Sequence, residues 1–248
     1  MQAPGTPPYP PTDPRFYGED YYARRLHERH WFRNNARKFR SRWDNCLRLL
    51  APTQGDTLVE LGCAAGEHTV RLAPMVRRAV GMDFSADAVR LARERAQREG
   101  STAEFVQGDV ADLSVFADAS VDKLLAMDLV EHIHDDVLAA MLREAWRVLR
   151  PGGRLVMYTP SASHYVERMK AANFILRQLP GHVAVRDGAA YARFLRAQPW
   201  ATVRIEYLPS DYPLFGALDR LLARVPGIGP WFRFRILIAV DKPAGTQA

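Results

Sequence analysis

An alternation of strand and helix patterns between residues 57 and 160 most constrains how this chain can fold. Five short runs rich in apolar and β-branched residues are separated by segments with helical periodicity. The runs cover residues 57–61, 79–82, 104–107, 121–127 and 154–159. Strands that alternate with helices predict parallel βαβ units with right-handed crossovers. We therefore predict an α/β fold with a Rossmann-like, doubly wound, mostly parallel seven-stranded sheet and helices on both faces.

The remaining elements and the domain boundaries follow from the segments outside this alternation. After Pro160, helical patterns at 166–179 and 187–197 precede a strand at 202–207, and a leucine-rich helix at 214–225 precedes a last strand at 234–240. We predict a disordered Pro-rich tail at 1–14, a helical lid at 15–50, one α/β domain at 51–242 with a substrate-covering insertion at 208–232, and a disordered tail at 243–248.

Cysteine usage and apolar content predict a reducing compartment. The two cysteines, Cys46 and Cys63, are too few for the disulfide framework of a small secreted protein. No run of about 18 apolar residues is present that could span a bilayer, and the first residues lack the basic-then-apolar order of a signal peptide. We expect a cytoplasmic protein without a transmembrane segment.

The net charge of +6 is concentrated near the amino terminus. Residues 15–44 hold nine Lys and Arg against four Asp and Glu, which gives that stretch a charge of +5. Arginines there alternate with aromatic residues such as Trp31 and Phe32, as on RNA-binding surfaces, but a lid helix with solvated arginines explains the pattern as well. We expect no specific nucleic-acid partner, although a basic stripe can contact anionic headgroups peripherally.

A glycine-rich loop, ELGCAAG, directly follows the first predicted strand and precedes a helix. Glycine at positions 62 and 66 lets the backbone turn tightly and approach a ligand. Asp83 ends the second predicted strand about twenty residues further on, where a carboxylate can accept both ribose hydroxyls of an adenosine. Asp109 follows the third strand and could accept an adenine amino group. Together these residues predict a nucleotide-type cofactor at the carboxyl ends of the strands.

In this order the motifs resemble those of the class I S-adenosylmethionine-dependent methyltransferases, in the broad branch that includes the ubiquinone-biosynthesis O-methyltransferases. VELGCAAGEHT resembles the first motif, VGMDFS the second, GDV the third, MDLVEH the fourth, and LRPGGRLVMYTP the turn and strand that follow. The resemblance runs from about residue 55 to residue 160. It implies a methyltransferase with a small-molecule acceptor.

The resemblance also implies that S-adenosyl-L-methionine binds across the strand ends, with S-adenosyl-L-homocysteine as its product. The glycine loop would line the methionine and ribose, and Met127 would border the sulfonium. An arginine of the lid could pair with the cofactor carboxylate. The cofactor-binding residues expected in this way are Glu60, Gly62, Cys63, Ala64, Gly66, Asp83, Phe84, Asp109, Val110, Met127 and Arg33. One of them, Ala64, stands where the family commonly has a third glycine.

Two histidines, His132 and His182, are the candidate catalytic residues, because imidazole titrates near neutrality and can act as a general base. Methyl transfer needs little base, however, since in-line positioning supplies most of the rate. Asp128, Glu131 and His132 form an alternative cation site. Asp128 departs from the glutamate that the ubiquinone branch commonly has, and the start of a helix explains Glu131 and His132 equally well. We therefore expect no metal.

The sequence leaves the acceptor and the oligomeric state open. Oxygen or nitrogen of an aromatic or lipid-like small molecule is the expected acceptor. A non-catalytic adenosine-binding module stays an alternative, and so does an NAD-dependent oxidoreductase, although the loop lacks the spacing GxGxxG. Five apolar residues of the insertion share one helical face, and we expect them either to roof the acceptor pocket or to pack against the sheet. They are Leu214, Leu218, Leu221, Leu222 and Val225.

Overall fold

Seven strands form one sheet. In chain order they are β1 (Thr57–Leu61), β2 (Arg78–Asp83), β3 (Glu104–Gln107), β4 (Val121–Met127), β5 (Leu149–Pro160), β6 (Thr202–Leu208) and β7 (Arg235–Asp241). The spatial order is β3-β2-β1-β4-β5-β7-β6. The first five strands are parallel, and β7 runs antiparallel to both β5 and β6. The predicted mostly parallel, Rossmann-like sheet is confirmed, and its order reverses between β1 and β4, where sheets of this kind bind ligands.

The computed structural model describes residues 10, 13–18, 21, 35–179 and 181–245. Its α-helices are α1 (Asn35–Leu50), α2 (Glu67–Leu72), α3 (Ala86–Glu99), α4 (Asp135–Val148), α5 (Tyr165–Ala171), α6 (Gly188–Leu195) and α7 (Pro213–Leu222). Short 3-10 helices cover Pro14–Tyr17, Ala73–Met75 and Gly229–Phe232. Arg33 and the rest of 22–34, most of the predicted tail 1–14, and residues 246–248 lie outside the described residues.

Helices cover both faces of the sheet, and the strands divide their side chains between two cores. Val59 of β1 packs in one core with Leu142 of α4. Its neighbour Leu58 packs in the other core with Leu50 of α1. These side chains are almost completely buried. Among the described residues, no helix is both long enough and apolar enough to cross a membrane.

Local capping explains why α3 has the bounds that its sequence predicts. The hydroxyl of Ser85 accepts a hydrogen bond from the backbone N–H of Ala88 at 3.2 Å, and Gly100 ends the helix in the left-handed conformation. Because Ser85 is the cap, the carboxylate of Asp83 is left for another role.

The fifth helix and the fifth strand differ from the predicted spans. Helix α5 ends at Ala171 rather than near residue 179, because the chain takes positive φ angles of 51° at Asn173 and 62° at Ile175. Strand β5 begins at Leu149, five residues before the predicted start, and its pairing with β4 shifts register near Val121. The Pro-Gly-Gly turn therefore lies within the strand and does not separate it from α4.

The leucine face of helix α7 does not pack against the sheet. Of the two alternatives for this helix, packing against the sheet is therefore wrong. Leu214, Leu218 and Leu221 are exposed, whereas the buried side of α7 carries Gly216 and Asp219. Asp219 accepts a hydrogen bond from the backbone N–H of residue 210 at 2.8 Å, and a Cβ at Gly216 would overlap with the carbonyl oxygen of that residue. A close backbone approach and a buried hydrogen bond thus fix α7.

Candidate functional site

The loop after β1 is held in a conformation that favours glycine. Gly62 and Gly66 have φ angles of 68° and 72°, and Ala64 between them has a φ of 49°. A Cβ at Gly62 would lie 2.7 Å from Cδ1 of Leu129, and a Cβ at Gly66 would lie 2.8 Å from the ring of Phe105. Close packing therefore requires both glycines, and Ala64 adopts a left-handed conformation that L-residues rarely take.

The carboxylate of Asp83 connects this loop to the end of β2. Its Oδ2 accepts a hydrogen bond from the backbone N–H of Ala64 at 2.9 Å, and its Oδ1 accepts one from Ser85 at 3.0 Å. Burial raises the pKa of Asp83, and these backbone donors act in the opposite direction. A carboxylate can accept about four hydrogen bonds. Asp83 thus keeps acceptor capacity for a pair of hydroxyl donors.

The carboxylate of Glu60 is buried beneath the loop and is already bound by two side chains of α2. Nδ1 of His68 lies 3.0 Å from Oε1, and the hydroxyl of Thr69 donates to Oε2. Phe39 and Trp43 of α1 stack on the His68 ring at centroid distances of 5.3 and 5.9 Å. Burial lowers the pKa of His68, but the hydrogen bond and charge of Glu60 outweigh burial, and the net direction is upward. A direct contact between Glu60 and a cofactor stays a prediction.

The other predicted cofactor residues divide into buried and exposed side chains. Cys63 packs on α3, and burial raises the pKa of its thiol, so a ligand would meet its backbone. Val110 and Met127 belong to the two main cores. Asp109 is exposed, and its Oδ1 accepts a hydrogen bond from the backbone N–H of Ala111 at 2.9 Å.

The described part of the N-terminal segment packs over the end of β2. Phe16 and Tyr17 are buried, and the ring of Tyr17 lies 5.5 Å from that of Phe84. The hydroxyl of Ser85 donates to the carbonyl oxygen of Tyr17 at 2.8 Å. Sequence patterns did not single out Phe16 and Tyr17, although they begin the segment predicted to be a lid. Their contacts bring the described start of that segment next to Asp83.

Asp128 follows β4 and is bound by two arginines that the sequence alone did not indicate. Arg42 of α1 donates to Oδ2 at 2.6 Å, and Arg235 of β7 donates to Oδ1 at 3.0 Å. Both guanidinium groups also lie over the ring of Tyr158, at 5.9 and 5.5 Å from its centroid. Because arginines bind both of its oxygens, Asp128 is not part of the ligand group that the alternative cation site assumed.

Glu131, His132 and His182 come together instead. One potential ligand atom from each lies within 4.8 Å of the others. The histidine ring centroids are 4.9 Å apart, and the hydroxyl of Tyr17 lies 3.2 Å from Nδ1 of His132. Nδ1 of His182 is buried and has no hydrogen-bond partner among the described residues. The structure thus joins the two predicted catalytic histidines and adds Glu131 to them.

Burial shifts the pKa values of two members of this cluster, Glu131 and His182, in opposite directions. Burial raises the pKa of Glu131 to about 8, and the negative charge of Asp128 adds to the shift. Burial lowers the pKa of His182 to about 3, and His132 acts in the same direction. A general base works best when its pKa lies near the operating pH. His182 is therefore poorly suited to accept a proton near neutrality, whereas Glu131, which accepts a hydrogen bond from Thr159 at 3.1 Å, titrates in that range.

Comparison with known proteins finds similarity to methyltransferases over part of the chain. Residues 58–153 match a family model described as a methyltransferase domain. A probable S-adenosylmethionine-dependent methyltransferase from Mycolicibacterium smegmatis is 31% identical over 134 residues, which cover 54% of this chain and 47% of that protein. A ubiquinone biosynthesis O-methyltransferase from Methylococcus capsulatus is 28% identical over 149 residues, which cover 59% of this chain and 61% of that protein.

The chain spans about half the length of the curated relatives it matches. Among solved structures, the YcgJ protein from Bacillus subtilis superposes on this chain with a TM-score of 0.64 at 19% sequence identity. The superposition covers 83% of this chain and 100% of that chain. This likeness confirms the fold.

Proposed function

We propose that this chain is a class I S-adenosylmethionine-dependent methyltransferase that transfers a methyl group from this cofactor to oxygen or nitrogen of a small molecule, and the methyltransferase domain matched by residues 58–153 supports the proposal. One observation carries the proposal. The left-handed loop of Gly62 and Gly66 lies beside Asp83, whose buried carboxylate keeps free acceptor capacity. Backbone approach at a glycine loop and a carboxylate for the ribose hydroxyls are what an adenosine cofactor needs.

The residues at the strand ends fit the parts of the cofactor. S-adenosylmethionine supplies an electrophilic methyl group on its sulfonium sulfur. In our proposal Asp83 accepts hydrogen bonds from the ribose, Asp109 and Val110 contact the adenine, and Met127 borders the sulfonium. Glu60 supports the loop through His68.

Proton removal from the acceptor is assigned to the cluster at the end of β4. His132 is the proposed base, with Glu131 as the nearest buried carboxyl group that titrates near neutrality. The proposed reaction does not require a metal. The proposed acceptor is an aromatic or lipid-like molecule, and the insertion 208–232 is its proposed cover. The proposed compartment is the cytoplasm, where the two free cysteines stay reduced.

Calorimetric titration with S-adenosylhomocysteine and, separately, with NADH tests the cofactor. We expect binding of the first and none of the second. Asp83→Ala should weaken binding by about tenfold to a hundredfold, because two hydrogen bonds to a charged acceptor are lost. The control Asp136→Ala removes an exposed carboxylate in the first turn of α4 and should change nothing. Binding of NADH alone would favour an oxidoreductase, and binding of neither would refute the proposal.

Incubation of labelled cofactor with a metabolite extract, followed by mass spectrometry, tests the transfer. Methylated small molecules would support an enzyme and would identify the acceptor class. Cofactor binding without any methylated product would favour a non-catalytic module. A parallel incubation after exhaustive chelation should retain full activity, and an activity that returns only with added magnesium would refute metal independence.

A further inference from the structure

Two surface segments, 165–179 after the end of β5 and 213–233 after the end of β6, carry most of the exposed large apolar side chains. They hold eleven of the fourteen large apolar side chains that are exposed among the described residues. Ile175 and Leu214 are each 79% exposed, Leu221 is 70% exposed and Phe174 is 61% exposed. Apolar side chains concentrated in this way are typical of an interaction surface, whereas single exposed residues are ordinary.

Side-chain contacts hold the two segments next to each other. The guanidinium of Arg168 lies over the ring of Trp231 at 5.2 Å, and the rings of Tyr165 and Phe232 are 5.7 Å apart. Helix α5 is thus in contact with the 3-10 helix at Gly229–Phe232, and Nε2 of His164, just before α5, lies 3.4 Å from Oδ1 of Asp219 of α7. We call the surface of these two segments the apolar-basic surface.

On the apolar-basic surface the acidic side chains are buried, whereas the basic side chains are at least partly exposed to solvent. Its two acids, Glu167 and Asp219, are buried and internally bound, Glu167 by Lys170 at 2.7 Å and Asp219 by a backbone N–H at 2.8 Å. Its six cations all remain at least partly exposed. They are Arg168, Lys170, Arg177, Arg220, Arg224 and Arg233. Across these two described segments, solvent thus meets apolar side chains and positive charge without an exposed carboxylate.

We propose that the apolar-basic surface docks on an anionic lipid bilayer. Exposed leucine, isoleucine and phenylalanine side chains can enter the boundary between headgroups and acyl chains, while flanking arginines contact the phosphates. Trp231 is a residue type enriched at that depth. The charge pattern disfavours a second copy of the same surface, because a symmetric contact would bring two sets of cations together without acids.

The residues of the apolar-basic surface are other than those of the basic stretch at 15–44, and lipid docking does not depend on the proposed methyl transfer. The buried side of α7 is already attached through Gly216 and Asp219, so its leucines are not needed for folding. Substitution of the leucines should therefore leave the fold intact.

Flotation of the full chain with vesicles tests the proposal. We expect flotation with vesicles of equal parts phosphatidylcholine and phosphatidylglycerol, decreasing as salt is added, and much less flotation with phosphatidylcholine alone. Leu214→Asp combined with Leu221→Asp should weaken binding by about tenfold or more, and so should Arg220→Glu combined with Arg224→Glu. The matched control is Val115→Asp, because Val115 is 59% exposed but lies outside the surface, and it should bind as the wild type does.

Melting temperatures of all variants verify that they remain folded. Absence of flotation with the anionic vesicles would overturn the proposal, as would flotation that the double leucine variant leaves unchanged. Sedimentation velocity without lipid tests the alternative that a second copy of the chain occupies the surface. A dimer that Leu221→Asp dissociates would assign the surface to a second copy and would equally overturn lipid docking.

Discussion

Asp128 and Glu131 lie three residues apart at the end of β4, yet their carboxyl groups have different environments. Two arginines bind Asp128, whereas Glu131 is 1% exposed and receives a hydrogen bond from Thr159. Desolvation disfavours a charge without such partners, so burial raises the pKa of Glu131. A carboxyl group can therefore bind two arginines or carry a proton, depending on its neighbours.

We expect Glu131→Gln to change how stability depends on pH. The pKa of Glu131 is raised from 4.5 to about 8 in the folded protein, so the folded state keeps a proton that the unfolded state releases. The stability of the wild type relative to the variant should be greatest below the unfolded pKa and should fall as the pH rises through about 8. Denaturant unfolding of both proteins across this range measures the difference, and a pH-independent difference would contradict the raised pKa.

Gly62→Ala should be more destabilising than Gly152→Ala, although both glycines have positive φ angles. An alanine at either position bears about 1 to 2 kcal/mol of left-handed strain. Only at Gly62 would the new Cβ also meet another side chain, Cδ1 of Leu129 at 2.7 Å, while nothing lies within 4 Å at Gly152. Denaturant unfolding measures the two costs, and S-adenosylhomocysteine titration should show lost binding for the Gly62 variant alone. Equal costs would indicate that Leu129 moves aside freely.

Local patterns were enough to predict some site residues but not their partners. Gly62, Gly66 and Asp83 follow from short motifs next to strands. Arg42 and Arg235, by contrast, are 86 and 107 residues away from Asp128 along the chain. No periodicity or spacing pairs such distant residues, because tertiary packing brings them together.

Two ion pairs of different exposure attach α1 to the sheet. Arg42 of α1 binds Asp128, which also binds Arg235 of β7, and these side chains are partly buried. Arg48 of α1 binds Glu206 of β6, and the Arg48 side chain is more exposed. We expect Asp128→Asn to lower the free energy of unfolding by about 2 to 4 kcal/mol, because it leaves two arginines without their counter-charge. Glu206→Gln should cost less than about 1 kcal/mol. Chemical denaturation measures both values, and a similar loss for the two variants would show that the Asp128 site is solvated.

The helices show why periodicity succeeds in one element and fails in another. Helix α3 is bounded by Ser85 and Gly100, whose capping acts within a few residues. In α7 the leucine face suggested the buried side, but the contacts that attach the helix come from Gly216 and Asp219. Apolar periodicity identifies a helix face. It does not determine whether protein, ligand or lipid covers that face.

The alternation of strands and helices was enough to predict the parallel part of the sheet, because right-handed crossovers allow only a few ways of connecting the strands. Beyond β5 this constraint weakens, since no regular alternation remains. The antiparallel insertion of β7 between β5 and β6 was therefore not predicted in detail. The described part of the N-terminal segment is likewise positioned by long-range contacts, those of Tyr17 with Phe84 and His132.

Deletion of residues 1–34 removes the part of the predicted lid at 15–50 that precedes α1, and it tests whether that part covers the cofactor site. We expect the deletion to weaken S-adenosylhomocysteine binding by about tenfold or more, because Phe16 and Tyr17 no longer exclude water from the end of β2. The sheet and its two cores should still unfold cooperatively, since their helices and strands begin at residue 35. Tyr17→Phe is the matched control: it keeps the ring on Phe84, removes the hydroxyl next to His132, and should retain the affinity. A folded deletion protein that binds S-adenosylhomocysteine as tightly as the full chain would refute the lid.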